Sequence, residues 1–240
     1  MIVRLYLFYP EGFINLHSES LKMNCLLVAA TANEIAPFLE HYRNTEKRWH
    51  IDMNIDVLIT GAGMTATTYQ LVKQFNLKRP DLVLQAGITG CFDKKVPLGS
   101  VVVIKQDVIA DESVVEQKKL HSLFDLKLAS KNQSPYKNGC LINPGTGMIK
   151  RSKLKVVNAI SVNHITTSGQ MVAFYKEKFN PVTESMEGAA LHYVCLMEKI
   201  SFLQVRAVSN YIAERNKKNW KIKESITNLN NELIRLLESL

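Results

Sequence analysis

The stretch from Val182 to Asn210 constrains the fold of this chain more than any other. A short strand ends at Ser185, a helix opens at Glu187, and a mostly apolar run from Phe202 to Ser209 reads as a second strand. Between the strands, Leu191, Val194, Cys195 and Met197 recur at helical spacing. Gly188, Ala189 and Ala190 let backbone or ligand approach the helix's first turn closely. Glu187, at the helix start, is favoured there as a carboxylate by unpaired backbone N–H groups. Fixed at a strand-to-helix turn, it suits accepting hydrogen bonds from vicinal hydroxyls, as on a sugar. The residues alone fit a plain helix cap equally well.

The rest of the chain alternates in the same way. Asn24 to Ala30 has the composition of a buried parallel strand. Thr31-Ala-Asn then supplies capping side chains for a helix from about Glu34 to Tyr42, with Pro37 near its first turn. Glu34 thus stands just past a strand's carboxyl end, where ligands bind in open α/β sheets. Its plainer reading is a first-turn acid favoured by the helix dipole. Arg48 to Thr60 predicts a hairpin whose second strand, Ile55 to Thr60, is apolar on both faces. Gly61-Ala-Gly-Met-Thr predicts a tight turn before a helix over 65–75, able to cradle an anion on backbone N–H groups.

Asp81 to Ala86 predicts a buried strand closed by a glycine-rich turn over 87–90, and Val101 to Ala110 another strand. Asp111 and Glu112, at its end, read as a surface rim rather than a catalytic pair. The polar, Lys-rich segment 116–138 reads as a loop with a short helix. Leu154 to Asn163 returns to strand pattern, and Ser168 caps a helix from Gly169 to Phe179. The last helix, Ile222 to Leu240, carries Ile222, Ile226, Leu229, Leu233, Leu236, Leu237 and Leu240 on one face, a core stripe rather than a binding feature. The alternation predicts one α/β domain of three layers, α/β/α, with a mostly parallel, twisted central sheet and right-handed crossovers.

A chain of 240 residues can bury a large single core, and no linker-like stretch divides it. Residues 1–22 lack the core pattern and a small-residue cleavage site, so they are expected to be an extension without function, with the folded domain over 23–240. The net charge of +8 is spread along the chain with no aromatic-basic recognition motif. That argues for a solvated basic surface, hospitable to a small anionic substrate, and against nucleic acid. Cys25, Cys91, Cys140 and Cys195 form no Cys-x-x-Cys pair and no His lies at ligand spacing, so no metal and no disulfide is expected. Reduced core thiols suit a cytoplasmic protein. No run approaches the ~18 apolar residues of a membrane span.

Ser-Met-Glu-Gly-Ala-Ala from Ser185, with Arg-Ala-Val-Ser-Asn closing the next strand at Asn210, resembles the purine nucleosidase and phosphorylase family. The likeness runs from Cys25 to Leu240. Leu-Leu-Val-Ala-Ala-Thr-Ala-Asn-Glu-Ile near the start and Ser-Asn-Tyr-Ile-Ala-Glu-Arg-Asn-Lys-Lys-Asn-Trp near the end are most similar to the branch that cleaves futalosine, on a route to menaquinone. The resemblance implies that Met186 and Glu187 grip a ribose, that Glu34 activates the attacking water, and that Asn210 handles the purine. It implies that the backbone of Gly87 and Ile88 lines the nucleoside pocket and that backbone groups of Ile165 and Thr166 meet the base. His164 or Ile165 would stand in for a stacking aromatic, and His164 is read as structural rather than as a general acid. Trp220 falls where such nucleosidases place an aromatic over the 5′ substituent. Arg215, Lys217 or Lys218 would then pair with the benzoate carboxylate of futalosine; a solvated basic loop is the plain alternative. A nucleoside substrate, no cofactor, no membrane partner and a homo-oligomer complete what the resemblance implies.

Three other activities remain open on these residues. A 5′-methylthioadenosine/S-adenosylhomocysteine nucleosidase shares most motifs but ordinarily has Asp where Asn210 stands. A nucleoside phosphorylase would show phosphate-binding Arg near the glycine turns, and the 61–65 turn has none. A nucleoside-binding protein with a dead site would keep Glu187 but could lose Glu34.

Overall fold

A computed structural model gives the structure of the chain and describes residues 23–45 and 53–239. The extension expected over 1–22, the start of the expected 48–60 hairpin and Leu240 lie outside the described residues. In chain order the regular elements are β1 (Met23–Ala29), α1 (Ala36–Thr45), β2 (Met53–Ile59), α2 (Met64–Leu77), β3 (Leu82–Cys91) and β4 (Val101–Asp107). There follow β5 (Ser113–Glu116), β6 (Lys119–Ser122), β7 (Leu141–Ile142), α3 (Thr146–Ser152), β8 (Lys155–Ser161) and α4 (Gly169–Phe179). The last are β9 (Thr183–Ser185), α5 (Gly188–Met197), β10 (Ser201–Tyr211) and α6 (Ile222–Ser239). Short 3-10 turns at Ala32–Ile35 and Lys217–Asn219 precede α1 and α6.

Strands that are apolar along their whole length need cover on both faces, and helices supply it. Leu27 and Leu84 look to one face, where Phe38 of α1 and Leu229, Leu233, Leu236 and Leu237 of α6 bury them. Leu26, Val28 and Val83 look to the other, against Leu71 and Phe75 of α2 and Leu191 and Val194 of α5. The expected α/β layering with a mostly parallel sheet is therefore present.

The sheet also closes, which the alternation of elements did not foretell. β3 pairs along one edge with β10, in parallel. Its other edge is divided: Leu82–Gln85 meet β1, while Gly90 and Cys91 meet β9 antiparallel. β10 pairs β4 antiparallel, and β4, β8 and β9 continue in parallel, so five strands return to their starting point. β1 and β2 extend from this ring as a wing. Closure is possible because β3 is long enough to hold two partners in series, and strand twist turns the second away from the first.

Several local expectations are corrected. Residues 87–90 lie within β3 rather than in a turn. Among the described residues β2 is an edge strand, and its apolar Val57 and Ile59 are about 40% exposed. Segment 113–122 is a two-stranded hairpin, and the described loop beyond it holds no helix before α3. Gln117 and Lys118 both adopt positive φ at its turn, a conformation usually announced by Asn or Gly, so the sequence hid it. Among the described residues no helix is long and apolar enough to cross a membrane, no His/Cys/Asp/Glu group is arranged for a metal, and all four cysteines are free thiols.

Candidate active site

The carboxyl ends of β1, β3, β9 and β10 open into one cavity of about 380 Å³. Of the residues singled out from sequence, Glu34, Ile88, Ile165, Thr166, Met186 and Glu187 line it. So do Asn210, Arg215 and Trp220. Gly87 does not; its bare Cα faces the Glu34 carboxylate and the Arg206 guanidinium, and a Cβ there would strike the guanidinium and crowd the carboxylate. His164 is exposed and outside the cavity, as are Lys217 and Lys218. Ile222 and Ile226, assigned to the core stripe of α6, instead form part of the cavity wall.

Glu187 stands at the N-cap position of α5 without a side-chain capping bond and is 6% exposed. Its Oε1 accepts from the backbone N–H of Gly63 at 3.1 Å, and its Oε2 from Arg206 Nη1 at 3.4 Å. The glycine turn before α2 thus holds an anion as expected, but the anion is the protein's own carboxylate. Gly63 needs its positive φ of 94° to present that N–H. The next amide, Met64 N, is engaged by Asn163 Oδ1 at 3.4 Å. A carboxylate offers about four lone-pair sites, so two remain open on Glu187.

Glu34 sits in the 3-10 turn after β1 and is 8% exposed. Oε2 accepts from Thr31 N at 2.9 Å and from Thr31 Oγ1 at 3.1 Å, while Oε1 accepts from Ile88 N at 3.0 Å. The two readings of Glu34 therefore coexist: it reaches back to cap the turn and also faces the cavity. One of its acceptor sites stays open. Asn230 of α6 steadies this turn, donating from Nδ2 to Glu34 O at 2.8 Å and accepting from Phe38 N at 3.0 Å.

Asn210 owes its place to an irregularity. Pairing between β3 and β10 runs in step to Val208↔Thr89, then skips Ser209 so that Asn210 meets Gly90. Such a bulge re-aims the residue that follows it. Asn210 Oδ1 accepts from Ser209 Oγ at 2.9 Å and Nδ2 donates to Tyr211 O at 3.1 Å. One donor hydrogen and one acceptor lone pair of the carboxamide are left for a ligand. At the outer end Arg215 lies over the Trp220 ring, 5.8 Å from its centroid, and Trp220 Nε1 donates to Glu214 O at 2.9 Å. Of the three candidate cations, Arg215 alone reaches the cavity wall.

Behind Glu187 lies a polar chain that sequence reasoning missed. Arg206 is 1% exposed and donates from Nη2 to Gln85 Oε1 at 2.9 Å. The Gln204 carboxamide, with its oxygen toward Arg206 Nε (3.2 Å), donates to His192 Nε2 at 2.8 Å and Asp107 Oδ2 at 3.3 Å. Burial pushes the Asp107 carboxyl up to about 6, against the pull of Ser161 and Arg206, and holds His192 down to about 4. Gly188 is needed here because a Cβ would strike Gln204 and Asp107. A usable signal was present: Gln85, Gln204 and Arg206 interrupt otherwise apolar strands, and a buried polar side chain requires a partner.

Glu184 was also missed. It is 5% exposed and lines the cavity, and its Oε1 accepts from Thr166 N at 3.0 Å. The backbone N–H of Thr166, which the resemblance directed at the base, is therefore engaged by a side chain. Burial raises the Glu184 carboxyl above the ordinary range. Asp111, of the expected rim, fastens the same segment by accepting from Asn163 N at 2.5 Å.

The chain is 27% identical over 216 residues to futalosine hydrolase of Thermus thermophilus, covering 88% of this chain and 94% of that protein. Its fold matches 5'-methylthioadenosine/S-adenosylhomocysteine nucleosidase of Helicobacter pylori (TM-score 0.75, 17% identity, 92% of this chain and 100% of that one). It also matches the futalosine hydrolase of Helicobacter pylori (TM-score 0.73, 16% identity, 91% and 99%). The family model of the phosphorylase superfamily matches residues 25–240, which takes in every wall of the cavity, and the chain belongs to that superfamily.

Proposed function

We propose that this protein is an N-glycosyl hydrolase that cleaves futalosine into hypoxanthine and dehypoxanthinyl futalosine, a step of menaquinone biosynthesis. The observation that carries the reading is the convergence of Glu34, Glu187 and Asn210, from three separate elements, on one cavity. The Thermus thermophilus relative adds the substrate.

In this reading Glu187 takes the ribose hydroxyls on its two open acceptor sites, with Met186 against the sugar. Those bonds strengthen as positive charge develops on the ribosyl group, the condition under which fixed charge lowers a barrier most. The C1′–N9 bond breaks with its electron pair going to the purine, which gains a proton from solvent at N7, facing the Asn210 carboxamide. Glu34 takes a proton from the attacking water as its oxygen bonds to C1′. Such general-base help is worth about 10²–10⁴-fold. Hydrolysis is favoured over phosphorolysis because the Gly63 and Met64 amides, at the turn where an anion would bind, already serve Glu187 and Asn163. Trp220 covers the benzoate ring and Arg215 pairs with its carboxylate. The reading carries with it a cytoplasmic homo-oligomer that needs no cofactor.

The test is turnover of futalosine, inosine and methylthioadenosine by purified protein, with and without phosphate. Futalosine should be cleaved best, phosphate should not matter, and Asn210→Asp should move preference toward the adenine nucleoside. Equal cleavage of methylthioadenosine and futalosine by the unaltered protein would overturn the substrate assignment.

A further inference from the structure

We infer that Ser161 and Ser185 are positioning residues: they cap helix α5 in place of Glu187 and so leave its carboxylate free for the ribose. The inference rests on the reading above in taking Glu187 as the group that holds the sugar.

A side chain at an N-cap ordinarily accepts from the second or third amide of its helix, with its own backbone extended. Glu187 does neither. Its φ and ψ are −129° and −19°, and its carboxylate makes no capping bond. Two amides of the first turn are served by other side chains instead. Gly188 N donates to Ser185 Oγ at 3.2 Å, and Ala189 N, the second amide, donates to Ser161 Oγ at 2.8 Å. Ser161 is fully buried and belongs to β8, so this cap is borrowed from a distant part of the chain. Ser161 and Ser185 are direct neighbours in the parallel pairing of β8 with β9, which brings both hydroxyls to the start of α5.

The direction of each hydroxyl follows from the buried Asp107. A hydroxyl has one proton to give and two lone pairs. Ser161 Oγ gives its proton to Asp107 Oδ1 at 3.0 Å, which leaves its lone pairs for Ala189 N and for Ser185 Oγ, 3.3 Å away. Ser185 is then the donor of that last pair and accepts from Gly188 N. The chain from Ser185 through Ser161 to Asp107 runs one way, and it gives Asp107 a task outside the bond-breaking steps. Without Ser161 Oγ the buried Ala189 N–H would lose its acceptor, and an unpaired buried donor is costly. Glu187 stands where an N-cap side chain takes that amide, so its carboxylate would turn from Gly63 N and Arg206 toward the helix.

Ser161→Ala tests this through the substrate's own hydroxyl. The readout is the ratio of kcat/KM for futalosine to that for its 2′-deoxy analogue. Comparing this ratio between wild type and variant isolates the grip on the ribose, because the intrinsic reactivity of each compound cancels. The ratio should fall about tenfold in S161A, the scale of a lost cap, while calorimetric binding of free hypoxanthine stays within a factor of ~3. A general loosening of the site would weaken base and nucleosides together and leave the ratio unchanged. Ser185→Ala leaves Asp107 its bonds from Ser161 and Val108 N and should lower the ratio in the same sense, which keeps the test open should S161A fail to fold. A ratio within a factor of ~3 of wild type in each variant that folds would overturn the inference, as would a wild type indifferent to the 2′-hydroxyl. If wild type cleaves futalosine in that case, this inference alone falls. If wild type neither binds hypoxanthine nor cleaves futalosine, the proposed function falls and takes this inference with it.

Discussion

Replacing Arg206 by methionine tests how Glu187 is held. The guanidinium is buried and bonds Glu187 and Gln85 directly and the Gln204 oxygen through Nε. Methionine fills much of the volume but leaves Glu187 with Gly63 N as its protein donor and Gln85 Oε1 without the guanidinium. Removing one partner of a buried pair costs about 3–5 kcal/mol, because the other charge stays buried. For a domain of this size each kcal/mol moves the Tm by about 2–4 °C, so R206M should melt about 6–20 °C lower. Glu187→Gln relieves the stranded charge. The double variant R206M/E187Q should therefore cost less than the two single changes summed, by about 1–3 kcal/mol. Thermal unfolding followed by circular dichroism at fixed protein concentration measures all three. A Tm loss under about 3 °C in R206M, or additive single effects, would show that the pair does not hold the carboxylate.

Glu34→Gln should lower kcat for futalosine by ~10² or more with KM nearly unchanged, because the amide still caps its turn but cannot take the water proton; unchanged turnover removes it from the mechanism. Arg215→Ala should raise the KM for futalosine and leave inosine almost untouched, while equal effects on both would return Arg215 to the solvated loop. Asp107 and His192 give opposite pH slopes. The raised Asp107 carboxyl, at about 6, holds its proton better in the folded state, so its contribution is present at low pH and is lost as pH rises toward 6. The lowered His192, at about 4, takes its proton better when unfolded, so stability from it grows as pH rises from 4 to the ordinary His range. The two largely offset each other between pH 4 and 6, and Asp107→Asn should unmask a rise of Tm with pH across that window. A flat profile in the variant would contradict the assignment.

The helical and strand periods were readable from the chain because they answer to one requirement, burial of apolar faces at spacings of two or near four residues. Leu191, Val194 and Cys195 predicted α5, and Ser168 predicted the start of α4, where its Oγ accepts from Met171 N. Glu34 and Glu187 could be singled out because each opens a helix after a strand, and strand ends are where α/β sheets hold ligands, whereas Asn210 was singled out by the resemblance to the purine nucleosidase and phosphorylase family. What the sequence left undecided is non-local. The division of one edge of β3 between β1 and β9 closes the sheet, and closure sets Glu184 and Asn210 on either side of Gly90. The bulge at Ser209 re-aims Asn210 by one residue, a shift that no local propensity encodes. Arg206 reads locally as a misplaced charge; only the tertiary structure brings Glu187 to it, over the bare Cα of Gly87. Periodicity reports which side of an element is buried, but which polar group waits there depends on strands far apart in the chain.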